Sequence, residues 1–88
     1  MSSVRLAFSS DRRPLSALRA GDGGVVIDVG ADADGRADRL LSLGVTPGAT
    51  VTVLQTFPGI VLVCDQTELA VERRVADCVF VRLIQEPL

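Results

Sequence analysis

The sequence contains no histidine and no lysine, so all nine of its positive charges are arginine. The chain therefore has no imidazole for acid–base catalysis or metal binding, no amine for a Schiff base and no phosphate-binding lysine of the P-loop kind. Without these groups there is also no Ser–His or Cys–His pair. We expect a protein that is not an enzyme, with no catalytic residues and no cofactor.

Long apolar runs are also missing. No run approaches the roughly 18–20 residues that cross a bilayer, and residues 1–13 lack the apolar middle of a signal peptide. The net charge of −2 gives no broad basic field for nucleic acid or anionic lipid. These features predict a cytoplasmic protein with no direct membrane insertion and no nucleic-acid partner.

The two cysteines, Cys64 and Cys78, each stand beside an aspartate, Asp65 and Asp77. Two thiolates and two carboxylates are a conceivable ligand set for zinc. Adjacent residues of a strand, however, point to opposite faces, so neither pair easily directs both side chains to one ion. In a reducing compartment we expect two free thiols, buried as small apolar side chains rather than forming a metal site.

With 88 residues the chain has room for one domain with a small core. Residues 1–13 end in a polar stretch and predict a flexible arm, although Val4, Leu6 and Phe8 alternate with other residues as in a short edge strand. Leu15 and Leu18 are spaced for one helical turn or a buried loop. We expect the domain to span residues 14–84, followed by a tail at 85–88.

Residues 32–44 predict a helix, because Ala37, Leu40 and Leu41 recur at helical spacing. Asp32 or Asp34 suits its first turn. At its end Gly44 fits a left-handed cap, and Pro47-Gly48 fits the centre of a type II turn. We expect the helix to bury Leu40 and Leu41.

Strands are predicted where apolar residues alternate or run together between turn residues. They comprise residues 25–29, 49–57, 60–64, a segment that includes Leu69 and Val71, and 79–84, and in the second of them Val51, Val53 and Phe57 share a face. Five short strands cannot all bury an apolar face in a flat sheet. We therefore predict a mostly β fold, a small barrel of five strands with the helix inserted between the first and the second.

Two blocks of the sequence resemble the FeoA family, ferrous iron transport protein A. Residues 39–51, RLLSLGVTPGATV, are similar to the family's helix end, Pro-Gly turn and following strand. Residues 68–81, ELAVERRVADCVFV, are similar to its last two strands with a helical turn between them. The resemblance covers residues 14–83 and implies an SH3-like barrel.

The resemblance also implies a function, that of a non-catalytic accessory of the FeoB membrane transporter that acts on or near its GTP-binding domain. The same fold occurs as the C-terminal domain of iron-dependent repressors. A metal-responsive regulator or dimerisation module, in which Cys64 and Cys78 bind a transition metal, is therefore the alternative.

We predict that the partner-binding surface lies near the helix end and the turns at Pro47-Gly48 and Pro58-Gly59. An apolar side chain beside a helix terminus either packs under the cap or is left available to a partner. The residues expected at this surface are Arg39, Leu43, Val45, Pro47, Phe57 and Pro58.

Overall fold

The computed structural model describes residues 8–30 and 35–84, which form six β-strands and two short α-helices. The strands are β1 (Phe8–Pro14), β2 (Gly23–Val29), β3 (Thr50–Gln55), β4 (Ile60–Cys64), β5 (Thr67–Val71) and β6 (Val79–Ile84), and the helices are α1 (Arg36–Ser42) and α2 (Arg73–Ala76). A 3-10 turn at Leu15–Ala17 follows β1. All strand pairs are antiparallel, in the order β1-β6-β2-β3-β4-β5. The fold is mostly β, as predicted.

The strand count and the helix position differ from the prediction. Residues 8–14, most of them assigned to a flexible arm, form β1 and pair with β6, so the sheet has six strands rather than five. Helix α1 consequently follows the second strand, not the first. The pairing covers the side of β6 that β2 leaves open, so β1 rather than β6 is the end strand on this side of the sheet. The remainder of the predicted arm, residues 1–7, and the predicted tail at 85–88 lie outside the described residues.

Helix α1 is shorter than predicted at both ends. It begins after Gly35, which has a φ of 72°, and it ends at Ser42. The predicted capping residues Asp32 and Asp34 lie outside the described residues. Gly44 has a φ of 101°, and the Val45 amide donates to the Leu40 carbonyl at 2.9 Å. The left-handed cap predicted at this end is thus confirmed.

The buried face of α1 is narrower than the sequence spacing suggested. Ala37 and Leu40 are buried, whereas Leu41 is 37% exposed, so the expectation that Leu41 packs in the core is wrong. A helix of seven residues makes only about two turns. Its contact with the sheet is a single stripe, and Leu41 lies at the edge of that stripe.

The predicted turn after α1 is present. The Ala49 amide donates to the Thr46 carbonyl at 2.9 Å across Pro47 and Gly48, and Gly48 has the positive φ (95°) that a type II turn needs. This turn directs the chain from the helix end into β3.

Phe57 is the largest departure from the predicted strand pattern. The strand over residues 49–57 ends at Gln55, and its pairing with β4 shifts between Val53 and Gln55. Alternation counted from Val51 and Val53 is therefore lost before Phe57 is reached. Phe57 lies instead in the turn before Ile60, joined to Pro58 by a cis peptide bond, and is 83% exposed.

The core joins both helices to strands β2–β6. The helical turn expected before the last strand is helix α2, whose Val75 and Ala76 are buried. The core side chains are Leu15, Leu18, Val26, Ala37, Leu40, Val45, Val51, Val53, Ile60, Leu62, Cys64, Val71, Val75, Ala76, Val79 and Val81. Across residues 8–30 and 35–84 there is no helix of the length and apolar character needed to span a membrane.

Candidate partner-binding surface

Two of the six predicted contact residues share one groove. Arg39 projects from the exposed side of α1, and Leu43, at its C-terminal cap, is 48% exposed. Both line a groove of about 380 Å³ between α1 and the segment from β5 to α2, which we call the α1–β5 groove. Its lining includes Arg39, Leu40, Leu43, Ala70, Val71 and Val75. Buried Leu40, Val71 and Val75 give it an apolar floor, and Arg39 gives it a charged side.

Pro58 lines a second, larger groove of about 840 Å³, which we call the hairpin groove. Its lining includes Gln55, Pro58, Val61, Ala70, Arg73 and Arg74. The two grooves share Ala70, Val71 and Glu72, so they meet at the C-terminal half of β5. Arg39 and Leu43 thus lie on one side of this strand end and Pro58 on the other.

The other three predicted residues are not part of this pair of grooves. Val45 has no exposed surface, because its side chain packs in the core, so its assignment as a contact residue is corrected. Pro47 is exposed but lines a separate pocket of about 290 Å³ with Val25 and Arg82. Phe57 projects into solvent without lining any of the described grooves.

Sequence reasoning missed Ala70 as a residue of this surface. It also did not predict the exposure of Leu54, which is 47% exposed on β3 but lines neither groove. Ala70 is exposed at the meeting point of the grooves. Only the position of Ala70 between the inward-facing Leu69 and Val71 could have indicated an outward side chain.

The charges around the grooves divide into paired and unpaired groups. An ion pair joins the Arg36 guanidinium to the Glu72 carboxylate, where α1 approaches the N-terminus of α2. The Arg73 guanidinium donates to the Thr56 carbonyl at 2.7 Å, which fixes α2 to the β3–β4 turn. The Arg39 guanidinium makes no hydrogen bond or ion pair with a described residue, although the backbone carbonyl of Arg39 accepts a hydrogen bond from the Ser42 hydroxyl. The α1–β5 groove therefore carries one positive charge, that of Arg39, which no carboxylate of its lining neutralises.

The two cysteines are free thiols in separate surroundings. The Cys64 thiol is buried at the end of β4 and donates to the Gly44 carbonyl at 3.5 Å. Burial, with a smaller effect from the neighbouring Asp65 carboxylate, raises the pKa of this thiol above 9.0. The Cys78 thiol is partly buried and donates to the Arg74 carbonyl at 3.6 Å. Among residues 8–30 and 35–84 no three acidic, cysteine or histidine side chains are grouped as metal ligands.

An antiparallel sheet curled around one small core, with a short helix before the last strand, defines an SH3-like domain. The FeoA domain family model matches residues 13–83. The chain therefore belongs to the FeoA domain family.

Solved structures show the same similarity. A crystal structure described as iron uptake regulatory protein (FeoA) is 32% identical, with a TM-score of 0.74, and the match covers 84% of this chain and 99% of that one. The zinc complex of Stenotrophomonas maltophilia FeoA, described as an SH3 domain protein, is 27% identical, with a TM-score of 0.69 and coverage of 76% and 86%.

The similarity extends to a longer protein of another class. A manganese-dependent transcriptional repressor is 26% identical, with a TM-score of 0.72; the match covers 86% of this chain and 43% of the repressor. This chain thus spans less than half of that protein's length. No curated protein sequence matches the chain significantly.

Proposed function

We propose that the protein takes part in ferrous iron transport as a non-catalytic accessory that binds an FeoB-type membrane transporter and modulates it through its cytosolic GTP-binding region. Membership of the FeoA family is the observation that carries the proposal. The S. maltophilia relative is described as a candidate ferrous iron transport activating factor, which supports the same role here. The protein would then act in the cytoplasm, at the inner face of the membrane through its partner.

The surface proposed for docking is the α1–β5 groove, with Arg39 and Leu43 as its contacts. An exposed leucine beside an arginine without a carboxylate partner is suited to a protein interface, because interface cores combine apolar area with arginine. Pro58, across the shared end of β5, extends this surface into the hairpin groove. Phe57 and Pro47 remain proposed contacts at the margins.

Co-purification with the transporter tests the proposal. The double variant Arg39→Gln/Leu43→Ser should reduce retention of this protein by the transporter at least about tenfold, the effect of losing roughly 1.4 kcal/mol of binding free energy. The matched control is Leu54→Ser/Arg19→Gln, since Leu54 is as exposed as Leu43 and Arg19 is an exposed arginine that lines none of the described pockets. Equal retention of both variants would reject this surface, and no retention of the unmodified protein would reject the proposed partner.

The alternative proposal is a metal-responsive regulator, and it is favoured by the similarity to the manganese-dependent repressor. In this role Cys64 and Cys78 bind ferrous iron or zinc and alter self-association. Calorimetric titration under reducing conditions separates the two proposals. The regulator requires micromolar or tighter binding that Cys64→Ser and Cys78→Ser each abolish, whereas the accessory role requires none.

A further inference from the structure

Strand β5 lies at the end of the described sheet. It pairs with β4 in register from Ile60↔Val71 to Cys64↔Thr67, and no other described strand pairs with it. Alternate residues of an edge strand present their backbone N–H and C=O groups away from the sheet. A segment in extended conformation can satisfy these groups by pairing with the strand, which is a recurring mode of peptide recognition.

The α1–β5 groove runs beside this edge and offers a site for an apolar side chain. Its floor is formed by Leu40, Val71 and Val75, each of which is buried. Leu43 and Ala70 are exposed at its sides, and Ala70 is too small to fill the groove. An added strand would therefore have backbone partners on β5 and an apolar recess for a side chain that points toward α1.

The charge of the same groove indicates which segment fits it. The chain as a whole is acidic, with a net charge of −2. The Arg39 guanidinium nevertheless has no hydrogen bond or ion pair to any described residue, and the Arg73 guanidinium donates to the carbonyl of Thr56 rather than to a carboxylate. The one carboxylate in the α1–β5 groove, that of Glu72, is already paired with Arg36. A carboxylate supplied by the partner would form an ion pair with the Arg39 guanidinium and neutralise its charge.

We propose that the edge of β5 binds an extended segment of a partner protein by strand addition. An apolar side chain of the segment occupies the α1–β5 groove between Leu43 and Ala70, and a carboxylate two residues along, on the same face of the added strand, pairs with Arg39. The inference rests on the proposed function, since it gives the chemistry of the segment through which the partner would dock. Residues at i and i+2 of a strand share a face, so the segment contains an apolar residue, any residue and then an acidic residue, or the reverse.

The test is a titration of the full-length, ¹⁵N-labelled protein with a capped heptapeptide, followed by NMR. The peptide sequence is Thr-Leu-Thr-Glu-Thr-Leu-Thr, so that the two leucine side chains and the glutamate side chain share one face of the extended strand. We expect amide shift changes confined to residues 36–43 and 67–75. A peptide with lysine in place of glutamate should bind about tenfold more weakly, because the charge-assisted pair with Arg39 is replaced by repulsion.

Two further measurements separate strand addition from nonspecific attraction. Arg39→Gln should give the glutamate and lysine peptides equal affinity, while Arg82→Gln should keep the preference of the unmodified protein. Two N-methylated peptides provide the second measurement, one methylated at the odd-numbered residues and the other at the even-numbered residues. Each peptide therefore lacks the amide donors along one of its two edges. One of these two peptides should lose binding and the other should keep it.

Several outcomes would overturn the inference. These are absence of peptide binding, shift changes centred outside the α1–β5 groove, equal affinity for both peptides in the unmodified protein, or equal binding of both N-methylated peptides. A dimer of this chain, seen by sedimentation and dissociated by the peptide, would also overturn it, because a second copy would then be the occupant of the edge. Failure here with intact transporter retention rejects only the inference, whereas peptide binding without retention rejects only the proposed function.

Discussion

The buried thiol of Cys64 is the most distinctive single group in the core. It lies at the end of β4, and its hydrogen bond to the Gly44 carbonyl joins the strand to the loop after α1. Burial raises its pKa, so the folded protein retains this proton at a pH where the unfolded chain has released it. With no lysine, tyrosine or histidine in the sequence, the cysteines are the only side chains that ordinarily titrate between about pH 6 and 10.

The free energy of unfolding should therefore vary with pH in the alkaline range because of the Cys64 thiol. Below its ordinary pKa of 9.0 both states hold the proton and the thiol has no effect; as the pH rises through 9.0, the free energy of unfolding should fall until the folded thiol also ionises. Urea unfolding at a series of pH values measures this slope. Cys64→Ala should flatten it and Cys78→Ala should keep it. The same slope in both variants would contradict the assignment.

Gly44 stabilises the fold through its backbone conformation, which residues with a Cβ rarely adopt. Its φ of 101° belongs to the left-handed region, and a Cβ at this position would meet nothing within 4 Å. Gly44→Ala should therefore lower the free energy of unfolding by about 1–2 kcal/mol through backbone strain alone. Gly59→Ala is the control, since Gly59 has equal space around it and no positive φ. Chemical denaturation of the two variants checks the difference, and equal stabilities would refute the argument.

Strand β1 is the element that most distinguishes the observed architecture from the predicted one. Its pairing with β6 sets Pro14 opposite Phe80 and Arg12 opposite Arg82. The Arg12 guanidinium lies 4.5 Å from the centre of the Phe80 ring and 3.3 Å from the Asp28 carboxylate. Both charged side chains are more than half exposed, so the ion pair contributes little and the backbone pairing is the main interaction.

Removal of residues 1–13 should destabilise the domain by roughly 2–4 kcal/mol, because several ladder hydrogen bonds of about 1 kcal/mol each are lost along β6. The control is a chain that lacks residues 1–7 only and so retains β1. Thermal or urea unfolding of both truncated chains provides the comparison. If both were equally stable, β1 would be an accessory strand rather than part of the folding unit.

Elements with a strong local signal were predictable from the sequence, and those set by distant contacts were not. The cap at Gly44 and the turn at Pro47-Gly48 depend on local backbone preference, and the structure has both. Strand β1 depends on the open edge of β6, some seventy residues away, which no local pattern reveals. The exposure of Phe57 depends on a register shift opposite β4, which also leaves no local signal.

Only part of the contact surface could be predicted from the sequence, and the reason is the same. The exposure of Arg39 follows from helical spacing, because one side of a surface helix faces solvent, and that of Leu43 follows from its place beside the helix end. Val45 was misjudged because its amide bonds back to the Leu40 carbonyl, and this turns its side chain under the helix end and into the core. The contribution of β5 to the groove could not be predicted, since it needs the sheet order.

At the scale of the whole molecule, one core connects both helices to strands β2–β6. Helix α1 contributes Ala37 and Leu40 to it, and α2 contributes Val75 and Ala76. We expect a single cooperative unfolding transition, in which NMR signals of α1 and of β6 disappear at the same urea concentration. Loss of the α1 signals at lower urea would show that the helix, and with it the α1–β5 groove, opens independently of the sheet.

The pairing of Phe8 with Ile84 sets the two limits of the described chain side by side on adjacent strands. A short linker could therefore join them, and new ends could be opened at the Asp65-Gln66 turn between β4 and β5. Such a circular permutant would keep every strand pair while detaching β5 from its covalent neighbour. Strand β5 would then be attached to the rest of the chain only through α2, so the permutant would measure how strongly β5 pairs with β4 without the turn that joins them.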